Sequence, residues 1–425
     1  MNFILKDIIY INKLSLNDKI IIILFSFLPI FLIIGTAISE LAIIILCLIF
    51  TVDFFQKKKI EIHNKNLIFF MLIIYVSLII NLIFSINLSN SLLRNIFFFK
   101  YIIFTTGTIN FLYKKKDEFF FIIKIWSIIL IIFSIDLFIQ YFTQKNLIGL
   151  ESPLKFHRVS GFMGDELKAG ALLLPFGFIV TGYFLNNKNL NKRGLLILFS
   201  LIITIFITGD RSNFIKSIII LIFLLFFIDK YLIKRTIYLF IVALSLIFLI
   251  LTTNNVFKER YNNNIFNELI KNNYNIFKFV KNTEYGKIYS SAYHLFLKKK
   301  VFGVGNKNYR VVCEKDFQKK YHLKNDTNNY KCNTHPHQIY FEILSEHGIF
   351  GIIIMFICLG AFIYQNLIIV FKSKNALLAS LFFVNLVVFT PIIPGGSFFT
   401  SFNAVIFWLN ISFFYSYRNI CIQNN

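Results

Sequence analysis

The chain has 425 residues and a formal net charge of +23; 57% of its residues are hydrophobic, 18% aromatic and 15% charged. A soluble domain carries about 25% charged and 45–50% apolar residues, and a soluble core of this size could not bury 55 Phe beside long Ile/Leu runs. The composition indicates an all-α polytopic membrane protein and excludes secreted enzymes and soluble dinucleotide-binding proteins.

The positive charge does not require a nucleic-acid partner. Lys, Asn, Ile and Phe are abundant together, as an AT-rich coding bias would produce. Membrane topology also concentrates Lys and Arg in cytoplasmic loops. We therefore predict contact with membrane lipids and no nucleic-acid binding.

Twelve stretches are apolar and long enough to cross a bilayer core of about 30 Å. Nine of them precede residue 253 and form a predicted N-terminal bundle, 1–252; three follow residue 348 and form a C-terminal bundle, 349–425. A large polar loop, 253–348, separates the two bundles. The spans lie near residues 20–37, 39–55, 67–86, 91–112, 119–142, 168–185, 194–208, 212–228, 234–252, 349–371, 376–391 and 401–416.

The distribution of basic residues predicts the orientation of these spans. With the N-terminus in the cytoplasm, the cytoplasmic segments hold nineteen Lys and Arg, whereas the short outward loops hold five. This bias follows the positive-inside rule. It predicts a multi-pass protein of a bacterial inner membrane with both termini cytoplasmic and the large loop periplasmic.

The large loop is too long to be without structure of its own, so we expect helices or a small folded lid in it. Residues 284–299 have apolar positions three and four apart, which is typical of a helix. Cys313 and Cys332 both lie in this loop. In an oxidising periplasm they are candidates for a disulfide, although two unrelated thiols fit the sequence equally well.

Two arginines lie next to predicted spans on the outward side. Arg158 precedes the sixth span, and Arg211 lies in the turn Thr208–Asn213. Gly209 permits that turn and Asp210 is suited to cap the following helix. A helix N-terminus and a guanidinium together can bind phosphate oxygens. Alternatively, Arg158 contacts lipid headgroups and Arg211 pairs with a loop carboxylate.

A histidine-containing segment precedes the tenth span. Pro336 suits the first turn of a helix, in which His337 and Tyr340 would share one face. Glu342 and Glu346 would form another face. A neutral histidine can take a proton from a hydroxyl; the pair His335 and His337 beside two carboxylates also allows a metal site, which we consider the weaker reading.

Four short motifs occur in order along the chain. They are R-x-x-G-F at 158–162, T-G-D-R-S at 208–212, F-G-V-G-x-x-N-Y at 302–309 and H-x-x-Y-x-E-x-L-x-E-x-G-x-x-G at 337–351. In this order and topology the sequence resembles the O-antigen ligase/polymerase superfamily. The resemblance implies a membrane-type (GT-C-like) glycosyltransferase of about twelve spans with one large helical periplasmic loop.

The resemblance also implies roles for individual residues. His337 would activate the acceptor hydroxyl and Arg211 would stabilise the leaving diphosphate, as catalytic residues. Arg158 and Tyr340 would bind substrate. The donor would be a glycan linked to undecaprenyl diphosphate and the acceptor lipid A-core or another glycan. Members of the superfamily are metal-independent, so no metal or other cofactor is expected, and a single displacement would invert the anomeric configuration.

Several alternatives remain open at this stage. A polysaccharide polymerase and a protein O-glycosyltransferase belong to the same superfamily as the ligase. A transporter is the rival from another class, because ionisable residues within spans are functional candidates; here Asp136 and Lys100 are the deepest. Neither paired repeats nor broken helices in both halves, which are typical of transporters, occur in the sequence.

Overall fold

The computed structural model describes most of the chain as helix. The described residues are 14–56, 63–154, 157–227, 230–253, 282–320 and 330–423, with the single positions 258, 270 and 275. The basic residues Lys6, Lys13 and Lys57–Lys59, Lys155, and the loop stretches 259–269, 276–281 and 321–329, lie outside them.

Fifteen α-helices are described. The ten that precede the large loop are α1 (Leu16–Ile34), α2 (Thr36–Gln56), α3 (Lys65–Ile83), α4 (Leu88–Ile96), α5 (Phe99–Lys114), α6 (Lys116–Thr143), α7 (Ala169–Asn186), α8 (Asn191–Ile207), α9 (Arg211–Leu224) and α10 (Lys230–Thr253). The loop and the C-terminal part contribute α11 (Glu284–Lys298), α12 (Tyr309–Lys320), α13 (Ile339–Ser373), α14 (Ala376–Leu386) and α15 (Ser401–Gln423).

The helical fold class of a polytopic membrane protein is confirmed. Within the described residues eight segments are long and apolar enough to cross a membrane, and no strand is present. Each of the twelve predicted spans falls on a helix, but the fourth is divided between α4 and α5, and α8, α9 and α14 are short. The count of twelve and the three-part domain division stay predictions.

The helices pack around α7, whose residues are mostly buried. Helices α6, α8 and α14 lie against it. In contrast, α2, α3 and α10 expose long rows of Ile, Leu and Phe on their outer faces. A bilayer accounts for this pattern, because lipid-facing side chains need no burial inside the protein.

The segments assigned to the outward side by the positive-inside rule contact one another. The Ser91 hydroxyl donates to the Asn306 carbonyl at 2.6 Å, which joins α4 to the large loop. The Arg94 guanidinium donates to the Phe399 carbonyl at 3.2 Å, which joins α4 to the loop before α15. If successive spans cross the membrane in alternating directions, these segments lie on the same side, and the contacts agree with that arrangement.

The opposite ends of the helices also meet. Lys115 pairs with Asp18, and the Arg418 guanidinium donates to the Asn64 side chain at 3.3 Å. Asn375, between α13 and α14, donates to the Tyr417 hydroxyl at 2.9 Å. The described segments predicted to face inward therefore form a second cluster, at the other end of the bundle.

The described part of the large loop is folded. Helices α11 and α12 pack with residues 330–341 around a small apolar core that belongs to the loop. Helix α11 confirms the helix that residue spacing predicts for this segment. Cys313 and Cys332 form a disulfide in the structure. The core residues are Ile288, Ala292, Leu295, Val304, Tyr309, Val312, Cys313 and Phe317.

The start of α13 differs from the prediction. The helix begins at Ile339, because the Gln338 side chain caps it by accepting from the backbone N–H groups of Tyr340 and Phe341. His337 precedes the cap with φ of 57°, so His337 and Pro336 are not in the helix and the shared face with Tyr340 was wrong. Gly348 interrupts the helix with φ of 65° and ψ of −162°.

Candidate active site

The turn between α8 and α9 brings Arg158 to Asp210. The Arg158 guanidinium lies 3.5 Å from the Asp210 carboxylate and donates to the Leu167 carbonyl at 2.7 Å. Gly209 has φ of 68°, and its Cα faces the carbonyl of His157 so closely that a Cβ would clash. The glycine is needed here both for the left-handed backbone and for the close approach.

Asp210 caps α9 as predicted. Its carboxylate accepts from the Asn213 backbone N–H at 3.3 Å and from the Asn213 side chain at 2.7 Å. Arg211 is the first residue of the helix and is half-buried. The structure therefore brings Arg158 and Arg211 to the same helix N-terminus, where the helix dipole adds to their positive charge.

His337 lies on the other side of the site, at the junction of the large loop and α13. Its backbone carbonyl accepts from the Gly395 N–H at 2.6 Å. Its ring lies edge-on to Tyr285 at 5.7 Å and close to the His335 ring, with a centroid distance of 3.9 Å. The described residues contain no group of three or more His, Cys, Asp or Glu side chains with metal-binding geometry.

Both histidines are neutral at pH 7. Burial and, to a smaller extent, the neighbouring His335 lower the pKa of His337 to about 4. Burial also lowers the pKa of His335 to about 4, with a contribution from the Lys307 ammonium. A neutral imidazole can accept a proton, so the electrostatics of this corner fit a general base.

Glu342 fixes the loop between α14 and α15 against α13. Its carboxylate accepts from the Phe398 backbone N–H at 2.9 Å and from the Ser397 hydroxyl. The Lys307 ammonium donates to the same hydroxyl, so this chain of contacts ties the large loop to residues 397–398. Gly395, which holds the His337 carbonyl, lies in the loop that is fixed in this way.

The Tyr340 side chain contacts other residues of the protein through both its hydroxyl and its ring. Its hydroxyl donates to the Phe389 carbonyl at 2.7 Å, and its ring stacks on Phe356. The predicted role of Tyr340 in substrate binding stays a prediction.

The glycine motif at 302–305 serves to pack the large loop on the bundle. Gly303 has φ of 69° and lies against the backbone of Glu346 and His347 without room for a Cβ. The Asn81 side chain donates to the carbonyls of Phe302 and Glu346 at 2.8 and 2.9 Å. This motif therefore positions the first part of α13, before the break at Gly348.

A cavity of about 110 Å³ lies between α9 and the loop that precedes α15. Asn213 and Lys216 of α9 line one side, and Gly395 and Gly396 line another. The Lys216 ammonium lies 3.4 Å from the position that a Cβ on Gly395 would occupy. One cavity is thus in contact with the helix that Arg211 begins and with the loop that holds His337.

The sequence did not point to Lys216 or Gly395 as site residues, and it suggested Glu342 only as a carboxylate of a possible metal site. Lys216 follows Arg211 by five residues, which places it about 7.5 Å further along the helix, close enough to the end of a span for a lysine to reach the membrane surface. Glu342 and Gly395 act through contacts distant in the chain, for which one sequence carries no signal. For Lys216 the signal was a charge inside an apolar span.

One comparison with known proteins gives a match. Residues 195–356 match the family model described as O-antigen ligase, a region that begins in α8 and ends in α13 and includes Arg211 and His337. No curated protein matches the chain. The match confirms the resemblance to the O-antigen ligase/polymerase superfamily and supports a membrane enzyme of glycosyltransferase type.

Proposed function

From the O-antigen ligase region at residues 195–356, we propose that the protein transfers a glycan from undecaprenyl diphosphate to an acceptor sugar hydroxyl. The transfer takes place at the periplasmic face of the bacterial inner membrane. One observation carries the proposal: a single cavity borders both the helix begun by Arg211 and the loop bonded to His337.

The arginines stabilise the leaving group. When the bond between the anomeric carbon and the diphosphate oxygen breaks, negative charge develops on the diphosphate. Arg158, Arg211 and the N-terminus of α9 offer fixed positive charge and N–H donors to that group. These residues supply the charge stabilisation that the step needs, so the proposal includes no metal and no cofactor.

His337 activates the acceptor. The acceptor hydroxyl oxygen attacks the anomeric carbon while the hydroxyl proton moves to the neutral imidazole of His337. The electron pair of the broken bond stays on the diphosphate, and a single displacement inverts the anomeric configuration. A positioned base of this kind contributes about 10²–10⁴-fold to the rate. A product with retained configuration would contradict the single displacement.

The proposed acceptor is lipid A-core, as for a ligase. The model of the matched family is described as O-antigen ligase, which supports this choice. The alternative within the same chemistry is a polymerase, whose acceptor is another lipid-linked repeat. The two differ only in the acceptor and share the proposed roles of Arg158, Arg211 and His337.

The test is complementation of a deletion strain with the wild type, Arg211→Ala or His337→Ala, with lipopolysaccharide separated on a gel and stained for polysaccharide. We expect both variants to lose long glycan on lipid A-core and to accumulate lipid-linked polymer. Core with a single repeat would instead identify a polymerase, and an unchanged glycan would contradict both.

Two matched variants control for general damage. Arg310→Ala removes an exposed arginine of α12 that pairs with Glu314, and His63→Ala removes a histidine whose ring packs at a tilt against Tyr113 at the opposite end of the bundle. Both should retain wild-type glycan. Equal membrane levels of all variants are checked by immunoblot.

A further inference from the structure

Lys216 is the unusual residue of the cavity between α7, α9, α14 and α15. Its side chain is only 8% exposed. In the part of the chain that the structure describes, no hydrogen bond or ion pair of Lys216 is found. The other polar residues of the cavity wall are Asn213, Asn403 and Asn410.

A lysine ammonium that is buried without a partner is costly. Asp210 lends it a favourable charge, but the Asp210 carboxylate already binds Asn213 and Arg158. Its charge is therefore shared among three groups. The Lys216 ammonium points towards the cavity beside Gly395, where an anionic group would supply the missing partner.

The cavity has room for such a group. Its volume of about 110 Å³ is several times the roughly 10–15 Å³ that one water molecule needs, so a compact phosphate group can be accommodated. The asparagine side chains offer N–H donors to phosphate oxygens.

A second cavity of about 130 Å³ adjoins the first, and its wall is almost entirely apolar. The two cavities share the lining residues Ile339, Phe398 and Phe407. Helices α3, α13 and α15 form the apolar cavity, and its lining includes Leu67 and Met71. A cationic cavity beside an apolar one is complementary to a molecule that carries a phosphate on a hydrocarbon chain.

We propose that Lys216 binds a phosphate group of the polyprenyl-linked donor and that the adjoining apolar cavity receives the first isoprene units. This inference rests on the proposed function. It adds a third cation to Arg158 and Arg211, one that lies deeper in the membrane and on the side of the lipid chain. Lys216 is a substrate-binding residue in this arrangement.

Binding to the full-length protein in phosphatidylcholine nanodiscs tests the inference. The probes are undecaprenyl diphosphate, undecaprenol and inorganic phosphate, and the variants are Lys216→Met and Lys216→Arg. We expect Lys216→Met to weaken undecaprenyl diphosphate binding by about tenfold or more, because a charged hydrogen bond is lost. Undecaprenol binding should not change, and Lys216→Arg should retain most of the affinity.

Ile215→Met is the matched control, because Ile215 is the neighbouring residue of α9 and is 45% exposed. It should bind all probes as the wild type does. Lys216→Met removes a charge and keeps the length of the side chain, and retained undecaprenol binding would demonstrate that it folds.

Each of the other outcomes would overturn one stated part of the proposal. Equal affinity of the wild type and Lys216→Met for undecaprenyl diphosphate would overturn the role of Lys216 and leave glycan transfer by the wild type unaffected. Inorganic phosphate bound as tightly as the lipid would overturn the polyprenyl assignment. A wild type that binds no undecaprenyl diphosphate would overturn the proposed function as well.

Discussion

The chemistry of His337 depends on a backbone conformation that few residues adopt. Its φ of 57° is left-handed, which is uncommon for a residue with a Cβ. The Gly395 N–H holds the carbonyl in this position, and the Gln338 cap begins α13 immediately afterwards. The ring is therefore directed by the turn rather than by a helix face, beside His335 and Tyr285.

The lowered pKa of His337 predicts the pH dependence of transfer. Burial and the neighbouring His335 hold the pKa at about 4, below the ordinary value of about 6.5. Protonation removes the base, so activity falls as the pH falls. We expect kcat/KM to stay level from pH 8 to about pH 5 and to fall below it, with a midpoint near 4.

The measurement is the pH profile of kcat/KM with purified protein. His335→Asn removes the charge that lowers the pKa of His337 and should move the acid limb to higher pH. A midpoint near 6.5 in the wild type would contradict the assignment of His337 as a buried base. The free energy of unfolding changes in the same direction. Because the pKa of these buried histidines is lower in the folded than in the unfolded protein, stability falls as the pH falls from about 6.5 towards 4.

At the scale of elements, local signals predicted more than distant ones. The turn at Gly209, the Asp210 cap and the start of α9 depend on neighbouring residues, and the sequence predicts them correctly. The predicted start of α13 was wrong: Pro336 suits the first turn of a helix, but in the structure the Gln338 side chain caps the helix, which begins at Ile339. The loop between α14 and α15 carries no motif, and its role arises from contacts that span 55 residues or more.

Glu342 is expected to position His337 through that loop. Glu342→Ala would leave the Phe398 N–H and the Ser397 hydroxyl without an acceptor, and the loop that bears Gly395 would shift. A misplacement of about 1 Å can reduce a rate by about 10²-fold. We expect kcat to fall by about this factor with little change in KM, and steady-state kinetics would measure both.

The conservative variant separates positioning from general instability. Glu342→Gln keeps an oxygen that accepts from the Phe398 N–H, so it should recover most of the activity. Glu314→Ala, at an exposed position of α12, should resemble the wild type. If Glu342→Ala changes KM alone, or if Glu342→Gln is as inactive as Glu342→Ala, the positioning role is wrong.

At the scale of the molecule, charge and contacts lead to the same arrangement by independent routes. The bias of Lys and Arg assigns each loop to one side, and the described loops of each side contact one another at opposite ends of the bundle. The contacts carry no information on which end faces the cytoplasm. That assignment depends on the basic residues alone and decides whether the candidate active site is periplasmic.

Cysteine accessibility would test the orientation. Lys145→Cys lies in the loop after α6 and Lys188→Cys in the loop after α7, and both positions are exposed. In a background that lacks Cys47, Cys358 and Cys421, a membrane-impermeant maleimide added to spheroplasts should label Lys145→Cys alone. After permeabilisation it should label both variants, because the inward loop is then reached.

The disulfide of the large loop makes the same experiment self-checking. Cys313 and Cys332 form a bridge in the structure, so the background protein should not react until a reductant is added. A second inward position, Lys374→Cys, should follow Lys188→Cys in every condition. Labelling of Lys188→Cys and Lys374→Cys before permeabilisation, with Lys145→Cys protected, would invert the protein; His337 and Arg211 would then face the cytoplasm, where transfer onto lipid A-core at the periplasmic face is impossible.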